Sequence, residues 1–307
     1  MPELPEVEVV RNGLAPAVTG ALVAAVEVRD ERAMTRHLPG AADFVTRLQG
    51  RRILGAARRG KFLWLPIAPG PAAPEEALLA HLGMSGQLLL RAAGAEAMRH
   101  ERVRISVDHP LHGEVDVVFV DQRTFGSLAV DALVPTADGA AGGWGAPDAL
   151  VPAQARHIAR DPLDPAFDDR AFAAALARTS SAVKRVLLDQ GVVSGIGNIY
   201  ADEALWAARI HPAAPGRSLA TRAVGRLLAE TRAVLHKALA EGGTSFDAQY
   251  VNVNGQAGYF AHSLNVYGRG GEPCPRCGGA IRREAFMNRS SHYCPRCQRR
   301  RWSAGWV

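Results

Sequence analysis

The chain contains two patterns of hydrophobic positions. From about Val23 to Val134, short apolar runs with a period of two residues alternate with Gly, Pro and charged residues, which is typical of a β-sandwich or barrel. From Asp168 to Gly242 the apolar positions follow the helical period instead. The Pro/Gly/Ala-rich segment 135–147 lies between the two patterns, so we expect a domain linker near it.

The amino terminus has the pattern of a helix start. Apolar residues recur at helical spacing, at Leu4, Val7, Val10 and Leu14. Pro2 suits the first helical position, and acidic residues there favour the positive end of the helix dipole. These features are sufficient for a purely structural interpretation.

Pro2 also permits a chemical interpretation. A small second residue favours removal of Met1, which would leave a secondary amine at Pro2. A terminal amine titrates near ~8, against ~10.4 for a lysine side chain, so more of it is unprotonated at neutral pH. Such an amine attacks a carbonyl-like carbon and forms an iminium, and Glu3 can move protons beside it. The residues alone do not choose between the two interpretations.

All four cysteines lie in two Cys-Pro-Arg-Cys motifs, Cys274 to Cys277 and Cys294 to Cys297, with sixteen residues between them. This spacing favours one tetrahedral zinc site of structural type, with a β-hairpin between the two motifs. Two disulfides are the alternative. The first residues lack the layout of a signal peptide, so we expect a cytosolic protein, in which disulfides are rare.

The positive charge is concentrated at the carboxyl end. The chain has a formal charge of +6, but residues 269–307 carry nine Arg and two Glu, which leaves about −1 for the rest. A basic tail on a nearly neutral body favours binding to a polyanion such as nucleic acid, although a solvated tail is the alternative. The absence of an apolar run of 18 residues predicts no membrane span.

Several motifs occur in order along the chain: PELPEVE, RRGKFLWL, HLGMSG, DQRTFG, GIGNIYADE, YVNVNGQAGYF and VYGR ahead of the cysteines. With the zinc ribbon, they resemble the formamidopyrimidine-DNA glycosylase and endonuclease VIII family over nearly the whole chain. PELPEVE resembles the formamidopyrimidine branch. The resemblance implies an α+β multidomain fold: an N-terminal β-sandwich with an N-terminal helix (1–148), a helix–two-turn–helix domain (149–268) and a zinc ribbon hairpin (269–307).

The resemblance also implies catalytic residues. Pro2 matches the nucleophile that attacks C1′ of the damaged nucleotide, and Glu3 matches the acid that assists sugar opening and base release. Lys61 matches a lysine that contacts phosphate and supports elimination; without the motif it reads as a surface lysine on a strand. Arg289 matches a phosphate-binding residue that assists the second elimination.

Further residues match DNA contacts of the family. Met84, Arg123 and Phe125 match side chains that fill the space left by an everted base, whereas the bare sequence would more often place Met84 and Phe125 in the core. Thr124 stands where many relatives carry a basic residue. The other positions that match DNA contacts are Asn198, His100 and Lys184.

Two segments near these positions are less specific. The glycine-rich turn before Asn198 can hold a phosphate through its amides, or can be an ordinary turn between helices. The loop 244–258 matches the segment that closes over an oxidised purine.

The expected activity is excision of oxidised purines such as 8-oxoguanine or formamidopyrimidines from duplex DNA, followed by β- and δ-elimination. One structural zinc and a monomer that acts in the cytoplasm, associated with the nucleoid, complete the expectation. Its partner is double-stranded DNA with oxidised bases or abasic sites, and no membrane. The alternatives are an endonuclease VIII-like enzyme for oxidised pyrimidines and a non-catalytic zinc-ribbon protein that binds DNA.

Overall fold

The computed structural model describes residues 2–70, 73–244, 253–256 and 258–300. These residues form two compact units. The first unit comprises the described residues within 1–157 and 242–259, and the second those within 158–241 and 260–300.

The first unit is a sheet with two helices. Helix α1 spans Leu4–Val18 and α2 spans Ala41–Leu48. The strands are β1 (Leu22–Val28), β2 (Arg52–Ile53), β3 (Ala57–Arg59), β4 (Phe62–Ala68), β5 (Glu76–His81), β6 (Gly86–Ala92), β7 (Glu101–His109), β8 (Gly113–Asp121), β9 (Ser127–Pro135) and β10 (Leu150–Pro152).

The strands pair in the order β10-β9-β5-β4-β2-β1-β7-β8-β6, with β3 on β4, and every described pairing is antiparallel. Buried residues from both halves of this order, including Leu65 of β4 and Val117 of β8, pack with α1 and α2 into one core. The expected β-sandwich is therefore confirmed. Helix α2 lies inside the region whose pattern predicted strands only.

Helix α1 has the apolar face that the sequence predicts, because its four spaced apolar residues, Leu4, Val7, Val10 and Leu14, are each at most 1% exposed. It begins two residues later than the Pro2 pattern implies, at Leu4. Glu3 is the N-cap, Glu6 completes a capping box, and a proline occupies the first turn. Pro2 thus precedes the helix.

The second unit contains four helices and a hairpin. The helices are α3 (Asp169–Ala177), α4 (Val183–Leu188), α5 (Asn198–Ala207) and α6 (Thr221–Ala240). The hairpin pairs β11 (Arg282–Phe286) with β12 (Arg289–Tyr293), as expected between the cysteine motifs. No helix formed by the described residues is long and apolar enough to cross a lipid bilayer.

Candidate active site and DNA-binding surfaces

Pro2 and Glu3 lie directly before α1, and both are buried. The backbone N–H of Glu3 donates to the Glu6 carboxylate at 2.8 Å, and the second oxygen of Glu6 accepts from the backbone N–H of Thr244 at 2.8 Å. Glu3 itself has an extended backbone. An amine at Pro2 and the Glu3 carboxyl would be neighbours in a place shielded from water, which suits nucleophilic attack and proton transfer.

Lys61 lies at the tip of the β3–β4 hairpin. Arg59 pairs with Phe62, so Gly60 and Lys61 form a two-residue turn, and Gly60 has the positive φ of +56° that such turns favour. The Lys61 side chain is partly exposed.

His81 lies close enough to Lys61 for their charges to interact. Burial lowers the pKa of His81 to about 4, and the positive charges of Arg36 and Lys61 act in the same direction. The imidazole is therefore neutral at physiological pH, and it adds no second positive charge beside Lys61.

Met84, Arg123 and Phe125 lie on the β5–β6 and β8–β9 loops, and we call these three side chains the wedge. Met84 is 42% exposed and Phe125 is 58% exposed, so neither belongs to the core. The Arg123 guanidinium carbon lies 5.3 Å from the centroid of the Phe125 ring. The exposed positions agree with the function that the resemblance implies and not with the alternative of core packing.

His100 lies just before β7 and is partly exposed. Its backbone φ is +64°, in the left-handed region that few residues other than glycine adopt. Its carbonyl oxygen accepts a hydrogen bond from the Asp121 N–H at 3.0 Å. This contact fixes the backbone of His100 next to the strand that leads into the wedge.

In the second unit, Asn198 lies beside the strand that begins with Arg289. Asn198 is the first residue of α5, and its side-chain N–H donates to the carbonyl oxygen of Ser290 at 3.0 Å. Within the described residues, its side-chain oxygen is buried without a hydrogen-bond partner. The partly exposed Arg289 donates to the Asn288 side chain at 3.1 Å. Asn198 therefore contacts the residue that follows Arg289 in β12.

Lys184 differs from the other predicted DNA contacts because its side chain is fully buried. Its ammonium lies 2.6 Å from an Asp202 carboxylate oxygen, and it donates to the Ser290 carbonyl and the Ser291 hydroxyl at 2.9 Å each. The other Asp202 oxygen accepts from the His292 backbone N–H at 2.8 Å. Lys184 therefore holds β12 in place, and it would have to leave this network to reach a phosphate.

The four cysteines form one cluster, with all sulfur atoms within 4.8 Å of one another. Four sulfurs around a tetrahedral zinc at Zn–S distances of about 2.3 Å would lie about 3.8 Å apart, so the cluster has the right size for zinc. Cys274, Cys277, Cys294 and Cys297 form no disulfide. The predicted structural zinc site is confirmed by this geometry and by the matching zinc-finger family reported below.

The chemistry of the sulfurs also fits a cation. Burial acts to raise the pKa of Cys274, but hydrogen bonds, the strongest from the Trp206 indole, outweigh it and lower the pKa to about 6. Burial and the neighbouring sulfurs raise the pKa of Cys297 to about 12. Thiolates this close repel one another unless a cation neutralises them. Zinc would supply that charge and hold the hairpin, with no part in bond making.

Sequence reasoning missed two carboxylates in this region, Asp202 and Glu203. The Glu203 carboxylate accepts the backbone N–H groups of residues 265–267 at 2.8–3.1 Å, and it anchors the segment that leads into the ribbon. Both belong to the GIGNIYADE motif, which was the available signal, but their partners lie far along the chain. Sequence reasoning interpreted this motif only through its glycines, which suggested a phosphate-binding turn, and not through its carboxylates.

Three known protein families match successive parts of the chain. The formamidopyrimidine-DNA glycosylase N-terminal domain matches residues 1–128, the H2TH domain of that glycosylase matches 158–249, and the zinc finger found in FPG and IleRS matches 271–300. The chain belongs to the formamidopyrimidine-DNA glycosylase family. The finding confirms the resemblance read from the motifs.

Individual members of this family resemble the chain over nearly all of its length. The formamidopyrimidine-DNA glycosylase of Leifsonia xyli subsp. xyli is 64% identical and covers 97% of this chain and 100% of its own. That of Thermobifida fusca is 57% identical, with 98% of both chains covered. A crystal structure of a Lactococcus lactis FPG mutant with Fapy-dG containing DNA has a TM-score of 0.80 at 29% identity and covers 97% of this chain and 100% of its own.

A second Lactococcus lactis structure, with DNA that contains an abasic site, has a TM-score of 0.79 at 29% identity, with the same coverage. Membership of the formamidopyrimidine-DNA glycosylase family makes the chain a DNA repair glycosylase with a zinc finger. The alternative of a non-catalytic zinc-ribbon protein is not favoured.

Proposed function

We propose that the chain excises oxidised purines from duplex DNA, including 8-oxoguanine opposite cytosine and formamidopyrimidines, and then cleaves the strand by β- and δ-elimination. The observation that carries this proposal is the buried Pro2–Glu3 pair, held at the start of α1 by Glu6. A Pro2 amine, freed by removal of Met1, is the nucleophile. Solved Lactococcus lactis structures contain Fapy-dG and abasic-site DNA, which supports the same substrates here.

The reaction begins at the sugar of the damaged nucleotide. The Pro2 nitrogen forms a bond to C1′, the bond from C1′ to the base breaks, and the base leaves with that electron pair and a proton. The Pro2 nitrogen then loses its proton, and its lone pair forms the C=N bond as the bond from C1′ to O4′ breaks. Glu3 donates the proton that O4′ takes, which assists sugar opening and base release. The product of this step is an iminium between Pro2 and the ring-opened sugar.

Strand cleavage follows from the iminium. Loss of a proton from C2′ breaks the bond from C3′ to its phosphate oxygen, and loss of a proton from C4′ then breaks the bond from C5′ to its phosphate oxygen. Lys61 and Arg289 bind the phosphates that leave, because a positive charge stabilises the developing negative charge on each leaving group. Water then hydrolyses the iminium and restores Pro2, and the DNA keeps a one-nucleotide gap with phosphate at both ends.

The duplex is held around the lesion by the remaining predicted residues. The wedge fills the space of the everted base, and Arg123 reads the orphaned cytosine. Asn198, Arg289 and His100 contact phosphates. For Lys184 we propose that it acts through β12, because its ammonium is used inside the network with Asp202.

We also propose the domain division 1–148, 149–268 and 269–307. Each of the three ranges matched by a family lies inside one of these domains. The described residues of the loop 244–258 pack with the first unit, since Val253 lies in the sandwich core and its carbonyl accepts from the Leu90 N–H at 2.9 Å. Most of that loop, residues 245–252 and 257, lies outside the described residues. We place the enzyme in the cytoplasm, associated with the nucleoid, as a monomer.

Borohydride trapping tests the proposal. Duplexes that carry 8-oxoguanine opposite cytosine, or thymine glycol, are mixed with the wild type, Pro2→Gly and Glu3→Gln. We expect a covalent adduct mainly with 8-oxoguanine for the wild type and less adduct with Pro2→Gly, because the terminal amine of glycine is primary and lacks the ring that fixes the proline nitrogen. Glu3→Gln should lose base release and keep cleavage of abasic-site DNA.

Pro5→Gly is the matched control, because Pro5 lies in the first turn of the same helix and carries no amine. It should lower stability slightly and leave trapping intact. A fully active preparation in which mass spectrometry finds Met1 attached would exclude Pro2 as the nucleophile. Stronger trapping on thymine glycol would favour the endonuclease VIII-like alternative.

A further inference from the structure

The two loops that carry the wedge are in backbone contact. A Cβ atom built on Gly83 would lie 2.4 Å from the carbonyl carbon of Phe125, and Gly83 has a positive φ of +61°. Thr124, between Arg123 and Phe125, also has a positive φ, +53°, which costs energy for a residue with a side chain. These loops therefore keep their shape only if something else holds them.

The side chain of Asp121 holds both loops. Asp121 is the last residue of β8 and is fully buried. One of its carboxylate oxygens accepts from the Ser85 hydroxyl at 2.6 Å and from the Arg123 N–H at 3.0 Å, and the other accepts from the Gly126 N–H at 2.7 Å. One carboxylate thus fixes Ser85, which follows Met84, and it fixes Arg123 and Gly126 on the two sides of Phe125.

The backbone of Asp121 is fixed as well. Its N–H donates to the His100 carbonyl at 3.0 Å, and its own carbonyl accepts from the Arg102 side chain at 2.8 Å. Across the described residues, no Lys or Arg side chain forms an ion pair with its carboxylate. All three donors to the carboxylate belong to the wedge loops, so it is used to shape these loops and not to balance a buried cation.

We propose that Asp121 is the positioning residue of the wedge. It sets where Met84, Arg123 and Phe125 stand relative to the sheet, and so controls base eversion and reading of the opposite base. This inference rests on the proposed function, in which the wedge enters the duplex. Asp121 touches neither the sugar nor the base.

A carboxylate is needed here because every group that faces it is a donor. Asparagine has the same shape, but its NH₂ group cannot accept a hydrogen bond. In Asp121→Asn, the backbone N–H of either Gly126 or Arg123 would face the NH₂ group, and that loop would shift. Ser85→Ala removes only the hydroxyl that links the two loops and leaves the turn at Phe125 bonded.

The test compares a substrate that needs the wedge with one that does not. Excision of 8-oxoguanine from a duplex requires eversion and filling of the gap, whereas cleavage of a single-stranded abasic site requires only the chemistry at Pro2. For Asp121→Asn we expect kcat/KM on the duplex to fall by about 10- to 100-fold, as for other misplacements of about 1 Å. Preference for cytosine over adenine opposite the lesion should fall by about tenfold. Single-stranded cleavage should change less than about twofold, because it does not use the wedge.

Asp108→Asn is the matched control, since Asp108 is exposed on β7 and the change in charge is the same. It should match the wild type on both substrates. The fluorescence of 2-aminopurine beside the lesion measures eversion directly and should rise more slowly with Asp121→Asn. If that variant does not fold, Ser85→Ala carries the same test with a smaller loss.

The outcomes separate the two proposals. If the wild type neither excises 8-oxoguanine from the duplex nor cleaves the single-stranded abasic site, the proposed function fails before Asp121 is tested. If Asp121→Asn and Ser85→Ala lose both activities equally, Asp121 supports only the fold, and the positioning role is overturned. Wild-type activity of Asp121→Asn on the duplex would overturn it as well.

Discussion

The sandwich and the zinc ribbon are stabilised in different ways. The sandwich has a core of 27 buried side chains among the described residues, drawn from both helices and eight strands. The ribbon cluster has four, Val266, Cys274, Ile281 and Cys294, and two of these are metal-binding cysteines. The sandwich can therefore fold by burying apolar surface, whereas the ribbon is too small to do so and depends on zinc.

The difference extends to charged groups. In the second unit the ribbon strand β12 is held by Lys184 and Asp202, an ion pair with no exposure on either side. In the first unit the wedge loops are held by a carboxylate that accepts from neutral groups. The residues proposed to bind phosphate at the ribbon are thus positioned by the zinc site and the buried ion pair. The wedge is positioned by hydrogen bonds to a carboxylate at the end of a strand.

The largest expected effect is that of zinc removal. Chelation, or Cys294→Ser at a fully buried position, should unfold the ribbon, because structural zinc contributes ~10–16 kcal/mol in isolated zinc-finger peptides. Duplex cleavage should be lost while the sandwich unfolds at an unchanged denaturant concentration. NMR spectra and urea unfolding measure the two parts separately. Adding zinc back to the chelated protein should restore cleavage, and joint unfolding of both parts would remove the contrast.

The next effect is that of breaking the buried ion pair. Lys184→Met leaves the Asp202 carboxylate buried without its cation, so we expect a loss of about 3–5 kcal/mol in the free energy of unfolding. Replacing both residues by apolar ones should recover much of that loss. Lys237→Met is the control, since its side chain is 54% exposed and 3.9 Å from Glu241, and we expect less than about 1 kcal/mol. Equal losses for the two lysines would contradict the buried role.

A pH effect is expected in the sandwich. The folded pKa of His81 is about 4, so between pH 6.5 and 4 the unfolded chain binds the proton and the folded chain does not. The stability that neutral His81 supports is present above pH 6.5 and is lost as the pH falls, by up to about 3 kcal/mol. Unfolding of the wild type and His81→Gln at pH 7.5 and 4.5 measures this. A stability difference that is the same at both pH values would refute it.

The smallest expected effect is on the salt dependence of DNA binding, which distinguishes exposed from buried cationic side chains. Each lysine or arginine that neutralises a phosphate contributes about 0.9 to the slope of log K against log salt. Lys61→Met and Arg289→Gln should each lower the slope by about that amount, because both side chains are partly exposed. Lys184→Met should leave the slope unchanged wherever the protein stays folded. Titrations of labelled duplex at several salt concentrations measure the slopes, and a reduced slope for Lys184→Met would show that it reaches DNA.

Much of the fold followed from periodicity. The apolar face of α1 and the long helix α6 repeat over several turns, so their patterns are unambiguous. Helix α2 was missed because its eight residues lie between strands and are too short for a clear period. The start of α1 was misplaced because Glu3 serves as the cap, a role that the proline pattern obscured.

The site followed from motifs only in part. The motifs identified the three residues of the wedge, but only the structure shows that Met84 and Phe125 are exposed. Asp121 lies in DQRTFG, yet its partner Ser85 is 36 residues away, and no spacing rule connects them. The burial of Lys184 could not be predicted either, because its partner Asp202 lies on the next helix.

The burial of Lys184 makes it possible to tell the lysines apart by chemical modification, since the chain has only three lysines. An acylating reagent would modify Lys61 and Lys237 from solvent and spare Lys184 in the native protein. Peptide mapping with and without duplex would then compare Lys61 at a proposed phosphate contact, Lys237 as an exposed reference and Lys184 as a residue that reacts only when its surroundings unfold.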